Sequence, residues 1–165
     1  MSLILNGDTG VSMVQSGVVE DADLNLSVKP MFSAYQNGST SCLNAVVTKI
    51  VFNIKEFDTT NSYDATTNYR FTPQKAGYYQ VSGAITFPAL TGNSQATIYK
   101  NGVQHKAIAL YCNGVSHTPL VSCIIYLNGT TDYIEFYGYQ TSGSTLSTVS
   151  GRPDITYFQA HYIGA

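Results

Sequence analysis

Three histidines, three cysteines and a thin scatter of carboxylates are the side chains of this sequence suited to acid–base, nucleophilic or metal chemistry, and their spacing assembles none of it. His105, His117 and His161 stand far apart, with no HxH, no HExxH and no paired carboxylate beside them. Asp58, Asp64 and Asp132 sit in turn-like segments where a calcium ion could bind. That ion takes roughly six to eight oxygen ligands, and no dense acidic loop supplies them. Cys112 and Cys123 lack the neighbouring His and Asp that would activate a nucleophilic thiol and read as small buried hydrophobes. With Cys42 they make an odd set without CxxC spacing, which argues for free thiols in a reducing compartment rather than a zinc site or a disulfide framework. The expectation is a protein without catalytic residues, bound metal or cofactor, and not an enzyme.

The elements that carry these residues are strands. The 165 residues suit one domain with a sizeable core. They are 44% hydrophobic but only 11% charged, against about a quarter charged in an average soluble domain. So few charges point to an exterior that is neutral and polar, or covered by partners. Thirteen Tyr and seven Phe without a single Trp, amid many Ser, Thr and Gly, favour β structure. A net charge of −2 leaves no electrostatic footprint for nucleic acid, and no apolar run is long enough to cross a bilayer. The opening Met1–Asp8 lacks the basic start and long apolar stretch of a secretion signal.

Two regions differ in texture. Residues 1–28 hold short apolar runs and the acidic cluster Glu20, Asp21 and Asp23, and Pro30 marks the boundary. Residues 29–165 carry strand patterns at short intervals. Ile50, Phe52 and Ile54 alternate with Val51, Asn53 and Lys55 as a half-buried strand requires. A strand starts near Tyr69–Phe71, a turn spans Pro73–Gly77, and Tyr79, Val81, Ile85 and Phe87 then share one face. Gly83 in the middle of that face calls for close approach by another group. Asn101-Gly102 is the pair favoured in tight hairpins, and Asn128-Gly129 opens a longer turn.

Two strands are apolar or aromatic on both faces. In LVSCIIYL, Val121, Cys123, Ile125 and Leu127 alternate with Leu120, Ile124 and Tyr126. In DYIEFYGYQ, Ile134 and Phe136 alternate with Tyr133, Tyr137 and Tyr139. A sandwich strand needs only one dry face, so the second face predicts a covering subunit.

The stretch from Phe52 to Gly83 resembles the signature of the complement C1q globular head. It runs Phe52, five residues, Asp58, four residues, Tyr63, seven residues, Phe71, five residues, then Gly77-x-Tyr79-x-Val81. One spacing is a residue longer than usual, Val81 replaces a Phe and Gly83 stands where an aromatic is expected, the departures of a distant member. MFSAYQ resembles the opening strand, TIYKNG the strand before the Asn-Gly hairpin and ITYFQAHYI the closing strand, so the likeness covers about residues 30–164. The resemblance implies an all-β, two-sheet antiparallel jelly-roll sandwich of the C1q/tumour-necrosis-factor type, ten-stranded and homotrimeric, that binds rather than catalyses. It carries no ligand-binding residue across. Tyr133, Tyr137, Tyr139, Phe158 and Tyr162 are the expected trimer interface, and His161 in the closing strand is expected to be an interface histidine.

The first twelve residues resemble the start of bacteriophage fibre and virion-surface proteins. That resemblance implies a virion protein made in bacterial host cytoplasm, with residues 1–28 as an attachment segment for other virion proteins. The expected function is a trimeric module at a tail-fibre tip or capsid surface that binds a host-surface glycan or protein. Alternatives are a virion decoration or connector protein without receptor binding, and a secreted C1q-like recognition protein of a cellular organism.

Overall fold

The computed structural model describes residues 29–165, and the expected attachment segment 1–28 lies outside the described residues. The described chain is all strand: β1 (Met31–Tyr35), β2 (Ser41–Cys42), β3 (Thr48–Lys49), β4 (Ile54–Asp58), β5 (Tyr63–Asp64), β6 (Arg70–Phe71), β7 (Ala76–Ala84), β8 (Leu90–Lys100), β9 (Val103–Val115), β10 (Leu120–Asn128), β11 (Ile134–Gln140), β12 (Leu146–Ser147) and β13 (Tyr157–Gly164). One sheet has five strands in the order β10-β7-β13-β1-β4. The facing sheet has six strands: β5-β6-β11-β8-β9 in order, with β3 also paired to β11, and β12 and β2 form a small two-stranded ribbon. Every pairing is antiparallel.

Alternation along the strands sends one row of side chains into the space between the sheets. Tyr79, Val81, Phe158 and Leu127 come from the five-stranded sheet, and Ile98, Ile134, Phe136 and Phe71 from the six-stranded one; all are fully buried. Each such side chain contributes roughly 1.5–3 kcal/mol of hydrophobic stabilisation.

The spacing of the Phe52–Val81 stretch has a physical reason, because it builds one aromatic cluster. Phe32 stacks on Tyr63 with ring centroids 4.5 Å apart and on Phe71 at 4.6 Å. Phe71 meets Tyr79 edge-on at 5.7 Å, and Phe52 meets Phe136 edge-on at 5.5 Å. The Tyr63 hydroxyl donates to the Phe52 carbonyl, and the Asp58 carboxylate accepts from the Ser62 and Tyr63 backbone amides. Two glycines allow close approaches in and beside the cluster. A Cβ on Gly83 would run into the Phe136 ring, the close approach expected from the sequence. One on Gly77, at φ 146°, would lie 2.5 Å from the Gly164 carbonyl oxygen.

The Asn101-Gly102 hairpin forms as expected, with positive φ at both residues (52° and 77°), the geometry that suits strand twist. One expected strand is displaced. Ile50 and Phe52 are buried, but regular pairing begins only at Ile54, because the Ile50 amide bonds to the Phe136 carbonyl as the chain crosses between sheets.

Candidate functional site: two outward faces and two ends

The outward face of the five-stranded sheet is laid down in rows by its register. Leu120, Ala84, Tyr157 and Tyr35 form one row, and Ser122, Ser82, Gln159 and Ser33 the next. Ile124, Gln80, His161 and Met31 follow, then Tyr126 and Tyr78. The polar row is neutral and bonded to its neighbours: Gln159 Nε2 donates to Ser82 Oγ at 3.0 Å, Gln80 Nε2 to Ser122 Oγ at 2.6 Å, and Ser33 Oγ to Glu56 at the edge. The apolar members are left open: Ile124 is 60% exposed, and Leu120, Tyr126 and Tyr78 are each 47% exposed. Phe57 on β4 and Ile163 on β13 extend the same open patch.

On the outward face of the six-stranded sheet, Tyr137 and Tyr133 are covered by the protomer's own side chains. Tyr99 and Tyr137 lie ring over ring at 4.1 Å. Lys49 Nζ bonds to the buried Glu135 carboxylate and lies over the Tyr137 ring, whose hydroxyl donates to the same carboxylate at 3.2 Å. Burial, then the adjacent Glu135 charge, pushes the Tyr137 hydroxyl up to about 12. Arg70 covers Tyr133, 4.4 Å from the ring centroid.

The five residues expected at a trimer interface therefore divide. Tyr133, Tyr137 and Tyr139 share this second face, on the sheet opposite to Leu120, Ile124 and Tyr126. One covering subunit cannot lie flat on both. Phe158 is a correction: it is 0% exposed, packed against Phe32, Phe52 and Phe136, and has no surface to offer a partner. Tyr162 is half-buried against Tyr79 under the Lys75 ammonium. Of the residues passed over, Tyr78 carries a signal in the alternation of its strand, whereas Phe57 lies on a strand without alternation and beside a register shift.

Beyond the sheets, β9 stands at an edge with nearly every side chain exposed, among them Val103, Ile108, Tyr111 and Val115. The two ends of the sandwich also differ. Lys29, the end of β13 beside Tyr78 and the Asn101-Gly102 turn lie at one end, tied by Thr59 Oγ1 to the Lys29 carbonyl and by Asn101 Nδ2 to Asp132. Loops 36–47, 85–90, 115–119 and 141–156 gather at the other, linked by Gly151 N to Gln36 O, Val149 N to Thr86 O and Gly143 N to Asn44 Oδ1. Those far loops carry two charges, Arg152 and Asp154, paired with each other through two bonds of 2.8 and 2.7 Å. They expose Leu43, Val46 and Val47 among Ser, Thr, Asn and Gly.

The residues considered for chemistry are dispersed. His105 is on β9, His117 in a far loop and His161 on the open face of the five-stranded sheet. Asp58, Asp64 and Asp132 accept hydrogen bonds from the amides of their own turns. Cys42 and Cys112 are buried and Cys123 half-buried, all three as free thiols, and burial pushes Cys42 up to about 11.

Two packed antiparallel sheets with the chain's first and last described strands adjacent in one of them set the comparison with known structures. Murine APRIL at pH 5.0 superposes with a TM-score of 0.66 at 11% identity, over 82% of this chain and 99% of that one. The PRD1 vertex protein P5 superposes with a TM-score of 0.62 at 15% identity, over 82% of this chain and 97% of its own. This is a jelly roll of the C1q/tumour-necrosis-factor type. No protein-family model matches the sequence, and no curated protein sequence matches it.

Proposed function

We propose that the protein is a non-enzymatic, trimeric module of a bacteriophage virion, held together through the open face of its five-stranded sheet and presenting its neutral far loops to the host-cell surface. The observation that carries the trimer is the unfinished face: Leu120, Ile124, Tyr126 and Tyr78 stand half exposed in register, beside polar groups already bonded to each other. Covering such a face releases water from apolar area at about 25 cal/mol per Å², and bonded neutral polar groups add little penalty. A closed ring of three joins two different patches at each contact. The open face and the exposed β9 edge are two such patches.

The virion assignment draws on the jelly roll shared with the PRD1 vertex protein P5, on the charge-poor composition, on the free cysteines and on the opening residues. Residues 1–28 serve as the attachment segment in this reading, joining the chain at the end opposite the far loops. Host binding draws on those loops, where Leu43, Val46 and Val47 lie among hydroxyl and amide side chains without an unpaired charge. Such a surface suits neutral glycan or protein, and three copies convert weak sites into avidity.

Binding of the labelled full-length protein to an array of bacterial surface glycans tests the second half. Retention by particular glycans that is lost in Leu43→Asp, at unchanged mass in solution, supports host attachment. A trimer retained by none of them favours the decoration reading, for which the vertex position in the name of P5 is the supporting observation.

A further inference from the structure

A groove of about 600 Å³, lined mostly by polar residue types, opens beside β4, β5 and β6, at the end of the sandwich away from the far loops. We propose that this groove is a binding site for an acidic saccharide, with Arg70 as the anchor for the sugar carboxylate. The reading does not depend on trimerisation or on host binding by the far loops.

Size comes first. A groove of this volume is in the range that holds an organic ligand of one to a few rings, well beyond a single ion. Its walls carry Asn61, Asn68, Thr72 and Gln74, whose amides and hydroxyl both donate and accept as sugar hydroxyls do, together with two cations, Lys55 and Arg70. The single carboxylate in the lining, Asp64, is fully engaged. It accepts from the Thr66, Thr67 and Asn68 amides at 2.9, 3.0 and 2.9 Å and from the Thr66 hydroxyl and the Asn68 side chain. It therefore has no capacity left for a cation, and its charge is spread into its own loop.

Arg70 is the exception among these groups. Its guanidinium lies on the Tyr133 ring, which fixes its plane, yet no described residue takes a hydrogen bond or an ion pair from it. Lys55, by contrast, is shared with Asp58 and Asn61. A planar fork whose donors no described residue takes selects a carboxylate, which can take two parallel bonds from it. A neutral sugar would leave the fork to water, and a small carboxylate would leave the groove empty. A uronic-acid sugar satisfies both parts.

The test is amide-resolved NMR of the full-length protein titrated with digalacturonate, with lactose as the neutral sugar and acetate as the bare carboxylate. Digalacturonate is expected to shift amides between Asn61 and Gln74 at low millimolar concentration, with lactose and acetate at least roughly tenfold weaker. Arg70→Ala is expected to weaken digalacturonate by roughly tenfold or more, and Arg70→Lys to restore only part, since an ammonium lacks the fork. Unshifted amides elsewhere in each variant show that the fold is kept. Absence of shifts in this loop, equal response to acetate or lactose, or an unchanged affinity in Arg70→Ala would overturn the proposal. Leu43→Asp is expected to leave this titration unaltered, so the groove and the far loops fail or succeed separately.

Discussion

The two outward faces of the sandwich are made from similar residues and end in opposite conditions. On the six-stranded sheet two of the three tyrosines of the β11 face have a companion within the protomer: Tyr99 for Tyr137 and Arg70 for Tyr133, with Lys49 and Glu135 closing the gap. On the five-stranded sheet Tyr78 and Tyr126 meet edge to face, and Ile124 and Leu120 face outward, 60% and 47% exposed among the described residues. Aromatic content therefore does not locate a contact surface. What locates it is apolar area in register that the protomer leaves uncovered.

Changes on the two faces should separate assembly from folding. The largest effect is expected from Ile124→Asp, which places a carboxylate in the middle of the face proposed to be joined. Buried without a partner, it costs roughly 3–5 kcal/mol at each contact, enough to leave monomers that still fold. Sedimentation velocity at micromolar concentration reads this directly. Tyr137→Asp is the opposite case. It sets a second carboxylate beside buried Glu135 and removes the ring over Tyr99, lowering protomer stability by about 2–3 kcal/mol in chemical denaturation while the assembled mass stays the same.

Smaller effects come from the loops at the terminal end. Asn101→Ala gives up the bonds to Asp132 and Tyr133 and forces alanine into a left-handed conformation, for an expected loss of about 1–2 kcal/mol in thermal unfolding. The smallest concerns pH. Backbone bonds from Thr67 and Thr66 hold the Asp64 carboxyl well below the usual carboxylate range. A depressed folded-state value contributes stability that is fully present above the unfolded value near ~4 and is lost as pH falls through the folded one. Melting temperatures taken from neutral pH down through this window should fall, and the fall should be shallower in Asp64→Asn.

How far the residues alone could go follows from what alternation encodes. Strands and turns were legible in the residues themselves, while the jelly roll came from the resemblance of the Phe52–Val81 spacing to the C1q signature, a spacing that builds the aromatic cluster. Alternation also separated Leu120, Ile124 and Tyr126 from Val121, Ile125 and Leu127, and the burial of the second row agrees with that split. It does not say which row of a closing strand points inward, and so leaves Phe158 indistinguishable from a surface residue. Nor could it say that β10 and β11 lie in different sheets, since they are joined by a short turn and look alike in composition. The groove was invisible for a related reason: Asp64 and Arg70 lie on the paired strands β5 and β6 of one sheet and Lys55 on the edge strand of the other, and only the packing of the two sheets makes a wall.

The central claim is that the open face of the five-stranded sheet is covered by another copy of the same chain. The direct test is the mass of the purified full-length protein by light scattering at low micromolar concentration. The account predicts three times 17.9 kDa. A stable species of 17.9 kDa, with Ile124 and Tyr126 open to solvent, would contradict it.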